Sequence, residues 1–263
     1  MTTVADILAF IQTLAPEEMK EHWDHVGLNC GRLDRPVTKI LVALDPFRDV
    51  CEEALEMEAE LLVTHHALIW TPGFVTDQDE QGRNTLFLIE NNIACINAHT
   101  NLDRAPGGVN DILAAKLGLE NIQVINPRGV DEQGRQWGLL RMGETAEPCK
   151  LSDFLGHVKQ QLGCEGLRYV DTGNPVHKVA VGGGACAGEM LQAVKAGCDT
   201  FVTADVRYNQ FWDARNYGLN LIDAGHFHTE NPVCVYLAQQ LRQAFPEITV
   251  AMSAWHMDCA KFF

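Results

Sequence analysis

The sequence predicts an α/β fold of two similar, duplicated α/β units. From Lys39, an apolar run (KILVALD), a helical pattern (PFRDVCEEALEME) and a second apolar run (AELLVTHH) follow one another. From Lys178 the same order returns as KVAVGGG, ACAGEMLQAVKAG and CDTFVTAD. Polar residues stand at corresponding points of the two stretches. Alternating strands and helices predict largely parallel sheets with right-handed crossovers, whose ligands collect at the carboxyl ends of the strands.

The evidence for duplication is a register without gaps. Residues 39–66 align with residues 178–205, so that the two histidines ending the first stretch fall opposite Ala204 and Asp205. A second echo pairs IACINAHTNLD (93–103) with LNLIDAGHFHTE (219–230). Identities are few, and chance similarity between two strand–helix–strand units is the alternative explanation. We read the pattern as an internal repeat.

We place the first unit at residues 1–125 and the second at 126–263, with interlinked halves and a C-terminal segment that can return to the first unit. The N-terminal stretch VADILAFIQTL has the spacing of an amphipathic helix. Between the repeats, NPRGVDEQGRQWG is rich in turn residues, whereas LLRMGET and LRYVD have strand character. LSDFLGHVKQQLG predicts a helix with Ser152 as its N-cap.

Composition narrows the class of protein. The chain has 263 residues, 46% of them hydrophobic, and a net charge of −15 with a pI near 5.0. A chain this acidic lacks the electrostatic footprint of a nucleic-acid binder, and no apolar run has the length of a membrane span. Nine scattered cysteines without a C-x-x-C pair argue against disulfides and thiolate zinc sites. We therefore expect a cytoplasmic protein with reduced thiols.

His65 and His66 follow an apolar strand directly. Neighbouring residues on a regular strand point to opposite faces, but at a strand end the backbone turns and both rings can reach one region. This arrangement suits two metal ions close together better than one ion bound by both rings. The alternative is a pair of surface histidines that cap a strand by chance.

Two further clusters follow predicted strands. His99 and Asp103 lie in HTNLD, on the predicted loop after one strand, and DAGHFHTENP brings His226 and Glu230. Glu230 is predicted in the first turn of the next helix, where the helix dipole favours a carboxylate. Imidazole and carboxylate ligands suit zinc, iron, manganese or nickel, and a bridging carboxylate would hold two divalent ions. Each cluster alone is also compatible with surface pairs or hydrogen-bonded core histidines.

Six stretches match a known family: WDHVGL, LLVTHH, AHTNLD, KVAVGGG, FVTADVRY and DAGHFHTE. With them the chain resembles the Nif-three-like proteins, also described as GTP cyclohydrolase I type 2-like dinuclear metal-binding proteins. The resemblance implies two similar α/β halves around a shared site for two metal ions per chain and a ring-like homohexamer. It assigns the metal ligands to His65, His66, Asp103, His226 and Glu230.

The chain departs from the family pattern at three positions. His25 stands where the family usually has Asn, Ala204 replaces a glycine, and Asn209 stands where a histidine is common. These positions are not proposed ligands, so the resemblance still implies the metal site. The departures alter the expected lining of the pocket and leave the substrate open.

The function that these residues predict is hydrolysis of a small molecule by metal-activated water. By resemblance this is a GTP cyclohydrolase-like opening of a purine imidazole ring, with His99 as the candidate for proton transfer. Asp24 and Asp205 are candidates for orienting ligand histidines, and Asp205 is equally a helix N-cap candidate. The alternatives are a metal-dependent phosphoesterase, for which Arg104, Arg207 and Lys178 would have to hold phosphate, and a non-catalytic metal-binding oligomer.

Two other features have ordinary interpretations. VGGGACAG (181–188) precedes a helix as a phosphate-binding turn would, but it lacks the P-loop Gly-Lys-Ser/Thr, so we expect a tight strand-to-helix turn. His228 and His256 can line the pocket, although a packed or surface histidine is the simpler expectation for each.

Overall fold

The computed structural model describes residues 1–71 and 73–263. Its helices are α1 (Val4–Leu14), α2 (Arg48–Glu56), α3 (Glu80–Glu90), α4 (Thr100–Arg104), α5 (Val109–Lys116), α6 (Leu151–Leu162), α7 (Met190–Lys195), α8 (Tyr208–Tyr217), α9 (His226–Glu230) and α10 (Pro232–Ala244). Its strands are β1 (Gly27–Cys30), β2 (Lys39–Ala43), β3 (Leu61–Thr64), β4 (Ala94–Asn97), β5 (Glu120–Ile125), β6 (Gly129–Val130), β7 (Gln136–Trp137), β8 (Leu140–Cys149), β9 (Arg168–Val170), β10 (Val176–Val181), β11 (Thr200–Thr203), β12 (Asn220–Asp223) and β13 (Thr249–Met252). The predicted α/β class is confirmed.

The chain forms two compact units. Unit 1 consists of Met1–Leu102 with Val233–Met257, and unit 2 consists of Asp103–Pro232 with Asp258–Phe263. The sequence predicts the division after residue 125, whereas the first segment of unit 1 ends at Leu102 and β5, which pairs with β8, lies in the second sheet. The segment that contains β13 belongs to unit 1, where this strand pairs with β2.

The sheet of unit 1 has the order β1-β4-β3-β2-β13. The strands from β4 to β13 are parallel, and β1 is added antiparallel at the edge. Buried apolar side chains from β2, α2, β3, α3 and β4 form a core beneath the sheet. In the paired register Ala43 faces Thr64, which faces Asn97, so the carboxyl ends of β2, β3 and β4 meet at one edge. The residues that follow these three strands are thereby brought together.

The sheet of unit 2 has the order β5-β8-β10-β11-β12-β9. Its centre, β10-β11-β12, is parallel, but β5, β8 and β9 are antiparallel to their neighbours. The expectation of a largely parallel sheet is therefore wrong for this unit. The physical reason lies between β5 and β8, where the chain makes the short β6–β7 pair instead of the crossover helix that parallel strands need.

Three local predictions also need correction. The N-cap of α6 is Lys150, and Ser152 lies inside the helix, where its hydroxyl donates to Asp153. Asp103 lies within helix α4 and not on a loop. Glu230 is the last residue of α9, one turn after His226, and not in the first turn of the next helix. Gly225, at φ +82, makes the turn that starts α9 this early.

Among the described residues, no helix combines the length and the apolar character that crossing a membrane requires.

Candidate metal centre

Three buried histidines cluster at the carboxyl edge of the unit 1 sheet. His65 and His66 follow β3, and His99 follows β4, with relative exposures of 0%, 7% and 9%. Their ring centroids are 5.0 to 5.5 Å apart, and each ring offers a nitrogen within 4.8 Å of the other two. Three imidazole nitrogens at this spacing can hold a metal ion.

Each histidine of this cluster is anchored through Nδ1. His65 Nδ1 lies 2.8 Å from the Ala98 carbonyl oxygen, which can only accept, so Nδ1 carries the proton. His66 Nδ1 lies 2.6 Å from Asp45, and His99 Nδ1 lies 3.1 Å from Asp24. Ionised carboxylates are also acceptors only. The lone pair of each ring is therefore on Nε2, as in metal sites whose histidines are oriented by an outer hydrogen bond.

Asp24 anchors His99 from a buried position, at 3% exposure. Besides His99, its carboxylate accepts hydrogen bonds from the backbone N–H groups of His25 and Thr100 and from the Thr100 hydroxyl. Burial raises the pKa of Asp24, but the hydrogen bonds from His99 and Thr100 outweigh it and hold this pKa below its ordinary value. Asp24 thus contacts His99, which is not among the predicted ligands, so its orienting of a ligand histidine stays a prediction.

Asp45 also contacts this cluster, although it was not predicted as a site residue from the sequence. It follows β2 and accepts from His66 Nδ1 on one oxygen, while its other oxygen lies 2.9 Å from His256 Nε2. Burial raises the pKa of Asp45, and the hydrogen bonds from His256 and His66 lower it by more, so the carboxyl is ionised at neutral pH. The only sequence signal was its position, an acid directly after a buried strand.

Two tryptophans flank the histidine cluster in unit 1. The Trp70 ring is 5.0 Å from the His99 ring and 5.9 Å from the His66 ring, and the Trp23 ring is 6.1 Å from that of His99. Trp23 and Trp70 are 53% and 49% exposed, so each indole shields a histidine and still presents aromatic surface to solvent.

Unit 2 contributes a second group at the ends of β11 and β12. His226 Nε2 lies 2.9 Å from a Glu230 carboxylate oxygen, one helical turn away in α9. Its Nδ1 lies 2.8 Å from Asp205, which follows β11. The N-cap of α8 is Arg207, so Asp205 does not cap this helix. Its contact with His226 is compatible with the other predicted role, orienting a ligand histidine, which stays a prediction.

The glycine turn after β10 makes room for Glu230. A Cβ atom on Gly184 would lie 2.0 Å from Glu230 Oε1 and 3.1 Å from His226 Nε2, and this residue has φ +61. The Gly184 N–H donates to the Thr229 hydroxyl, and the Gly183 N–H donates to Asn110. The turn thus packs closely against the Glu230 carboxylate, a contact that the sequence did not predict.

Asp103 lies near the same carboxylate in unit 2. Its backbone carbonyl accepts from buried Asn110, and one of its carboxylate oxygens is within 4.8 Å of one of Glu230. Burial raises the pKa of the neighbouring Cys186 thiol well above its ordinary value, and the charges of Asp103 and Glu230 add to this shift. Cys186 is therefore a neutral thiol in the metal-free protein, and the side chains here that could hold a metal ion are an imidazole and carboxylates.

The departures from the family pattern lie around these groups. His25 is exposed, and its carbonyl accepts from Asn97. Ala204 is buried between β11 and Asp205, and Asn209 is exposed on α8. The Lys178 ammonium, considered above for holding phosphate, donates to the Ala196 carbonyl near the start of β10, the end of the strand away from His226.

The profile of the family described as Duf34/NIF3 (NGG1p interacting factor 3) matches residues 2–260. The chain belongs to the Duf34/NIF3 family. This membership agrees with the resemblance found from the six sequence stretches.

Similar proteins cover nearly the whole chain. A Clostridium perfringens protein named GTP cyclohydrolase 1 type 2 homolog is 35% identical over 240 residues, 90% of each chain. A Streptomyces coelicolor protein of the same name is 36% identical over 246 residues, 92% of this chain and 86% of that one. The solved structure of a Bacillus cereus protein related to NIF3 has a TM-score of 0.94 at 25% identity, covering 100% of this chain and 99% of the other.

Proposed function

We propose that this Duf34/NIF3 protein is a dinuclear metal-dependent hydrolase acting on a small molecule, with a purine nucleotide such as GTP as the first candidate. The observation that carries the proposal is the histidine cluster of unit 1: the ring nitrogens of two proposed ligands, His65 and His66, lie within 4.8 Å of each other and of the proposed proton-transfer residue His99, and each Nδ1 has a fixed acceptor. The names of the similar proteins support the nucleotide.

The proposed ligands of the two divalent ions are His65, His66, Asp103, His226 and Glu230. Their donor set fits zinc, iron, manganese and nickel. Bound in pairs, such ions acidify water and polarise the bond under attack. The imidazole–carboxylate contact between His226 and Glu230 supports this assignment, because two ligand atoms 2.9 Å apart are close enough to bind the same ion.

His99 is proposed to move the proton. Its Nδ1 donates to Asp24, so Nε2 is the atom that takes a proton from water or gives one to the leaving nitrogen. Asp24 keeps the ring in this tautomer and stabilises the imidazolium that forms, as a buried carboxylate does behind a catalytic histidine. Trp23 and Trp70 restrict the access of water to the His99 ring.

The exposed indole of Trp70 supports a heteroaromatic substrate. Aromatic side chains bind nucleobases by stacking, which contributes roughly 1–3 kcal/mol per base. The Lys178 ammonium already donates a hydrogen bond to the Ala196 carbonyl, so we do not propose it as a triphosphate-binding residue. A homo-oligomer, hexameric by resemblance, stays a prediction.

The test separates metal binding from turnover. Purified protein is reconstituted in parallel with zinc, iron(II), manganese and nickel, and formate release from GTP is measured beside metal content. His99→Gln is expected to keep its metal and lose turnover by about 10²- to 10⁴-fold, whereas His66→Ala loses metal and turnover together. Fully loaded protein that is inactive on nucleotides and phosphoesters would contradict a hydrolase and favour a non-catalytic metal-binding protein.

A further inference from the structure

A chain of polar contacts runs from His66 to the C-terminal segment of unit 1. Asp45 stands at its centre, with one carboxylate oxygen 2.6 Å from His66 Nδ1 and the other 2.9 Å from His256 Nε2. The side chains of His66, Asp45 and His256 are 9%, 15% and 8% exposed. Because both carboxylate oxygens accept and water has little access, the two imidazoles are held in defined tautomers.

The position of His256 is itself fixed by Glu53 of helix α2. The Glu53 carboxylate accepts from the backbone N–H groups of Ala254 and Trp255, at 2.8 and 3.3 Å, and from the Ser253 hydroxyl. The Ser253 oxygen in turn accepts from the His256 N–H at 3.0 Å. A segment about 200 residues away in sequence is therefore tied to the first repeat by directed hydrogen bonds.

Packing and backbone contacts restrain the segment further. The Ser253 N–H donates to the Val42 carbonyl of β2 at 2.8 Å, which places the segment beside the strand that Asp45 follows. The Phe47 ring contacts the His256 ring edge to face, with centroids 5.9 Å apart. His256 is therefore neither a surface histidine nor a simple packing residue, in contrast to the expectation from sequence.

We propose that Asp45 and His256 are positioning residues, which fix the tautomer and orientation of His66 so that its Nε2 lone pair faces the metal ion. The proposal deepens the proposed function and rests on His66 being a ligand. It assigns a role to the C-terminal segment 253–256, which sets metal affinity without supplying a ligand. Outer hydrogen-bond partners of metal-binding histidines commonly change metal affinity by about 10- to 100-fold.

The first measurement is metal affinity by competition with a chromophoric chelator, using zinc as the probe and full-length protein. Asp45→Asn keeps the shape of the side chain but removes its charge and one acceptor, so we expect affinity to fall by about 10- to 100-fold. His256→Ala is expected to weaken binding by several-fold, and His256→Gln, whose amide N–H can still donate to Asp45, is expected to restore it.

The matched control is Asp49→Asn, an exposed carboxylate in the first turn of α2 that makes the same chemical change outside the contact chain. Thermal unfolding of every metal-free variant checks that it is folded. Zinc affinity of Asp45→Asn within twofold of Asp49→Asn would overturn the proposal, as would His256→Gln behaving like His256→Ala.

A second readout does not depend on metal. In metal-free protein labelled with ¹⁵N histidine, the imidazole nitrogen shifts report the tautomer of His66. The proposal expects the Nδ1–H form in the wild type and a mixture of tautomers in Asp45→Asn, and an unchanged His66 signal in this variant would contradict it. If the wild type binds metal and shows this tautomer shift but turns over no substrate, the proposed function fails while the positioning role stands. If it binds no metal, both fail.

Discussion

The two units agree at the amino ends of their central strands and differ at the carboxyl ends. In unit 1 the Lys39 N–H donates to the Glu60 carboxylate at 2.9 Å, and in unit 2 the Lys178 N–H donates to Asp199 at 2.7 Å. The contacts of the lysine ammonium groups also correspond. Lys39 Nζ donates to the Met57 carbonyl, and Lys178 Nζ donates to the Ala196 carbonyl. These pairs correspond in the gap-free alignment of residues 39–66 with 178–205.

The helix ends repeat in the same register. The residue after Met57, Glu58, has φ +56, and the residue after Ala196, Gly197, has φ +77. Both helices thus end in a left-handed residue before the chain enters the next strand. These corresponding contacts concern the frame of each unit, that is, its strands and the helices that connect them.

At the carboxyl ends, equivalent positions carry different chemistry. Asp45, which binds His66, corresponds to Gly184, whose lack of a side chain admits Glu230. His66 corresponds to Asp205, whose carboxylate contacts Nδ1 of His226. At this position unit 1 therefore carries the imidazole of the pair, and unit 2 carries the carboxylate. A histidine–aspartate pair therefore occurs in both units, but its two members come from different strands. The contacts at the amino ends of the strands thus correspond between the two units, and those at the carboxyl ends differ.

Burial also separates the two pairs. The His66 and Asp45 side chains are 9% and 15% exposed, whereas those of His226 and Asp205 are 35% and 52% exposed. A hydrogen bond to a charged group is stronger where water is excluded and weaker where water competes. We infer that the contact of His66 with Asp45 is preorganised, while solvent screens the contact of His226 with Asp205.

The largest effect is expected from adding a side chain at Gly184, the unit 2 counterpart of Asp45. Gly184→Ala would place a methyl group 2.0 Å from Glu230 Oε1 at a backbone φ of +61. We expect loss of the ion that Glu230 helps to bind and a lower free energy of unfolding by about 1–3 kcal/mol. Elemental analysis and urea unfolding measure both. Gly188→Ala, with no atom within 4 Å of the added Cβ, is the control, and equal metal content in the two variants would refute the cradle.

The sequence predicts the strands and helices of this protein better than it predicts the contacts at the candidate site. The runs after Lys39 and Lys178 are apolar, of strand length and bounded by turns, so local pattern was enough. The contact of Asp45 with His256 joins residues 211 positions apart, and no local pattern encodes it. The role of Gly184 was hidden for the same reason, because it depends on a carboxylate that arrives from another helix.

A smaller effect tests the difference in burial. Asp205→Asn removes the charge that anchors His226, and because Asp205 is half exposed we expect zinc affinity to fall by only about two- to fivefold. The buried equivalent, Asp45→Asn, is expected to exceed this loss. Competition titrations at low and high salt measure both variants, with a visible salt dependence expected for Asp205. Equal losses in the two variants would remove the distinction between a preorganised and a screened pair.

The smallest effect concerns the shared amino ends and depends on pH. Burial raises the pKa of Glu60, and the N–H groups of Thr38 and Lys39 lower it by more, so the folded pKa lies below the ordinary value. Its stabilisation is therefore complete above the unfolded pKa of about 4.3 and is lost as pH falls through the folded value.

Glu60→Gln is expected to lower the free energy of unfolding by about 1 kcal/mol at pH 7, with a difference from wild type that shrinks below about pH 4. Urea unfolding at several pH values measures it. Glu58→Gln, which changes an exposed ion pair with Lys39, serves as the control and should differ little from wild type. A constant difference across the acid range would show that the Glu60 charge plays no part.

The central proposal is that His66 and Glu230 are metal ligands, and metal content per chain tests it most directly. Elemental analysis of purified, reconstituted wild type should give close to two divalent ions per chain, with clear losses in His66→Ala from unit 1 and Glu230→Ala from unit 2. Wild type that takes up no zinc, iron or manganese would contradict the account, as would a loss confined to the variant of one unit.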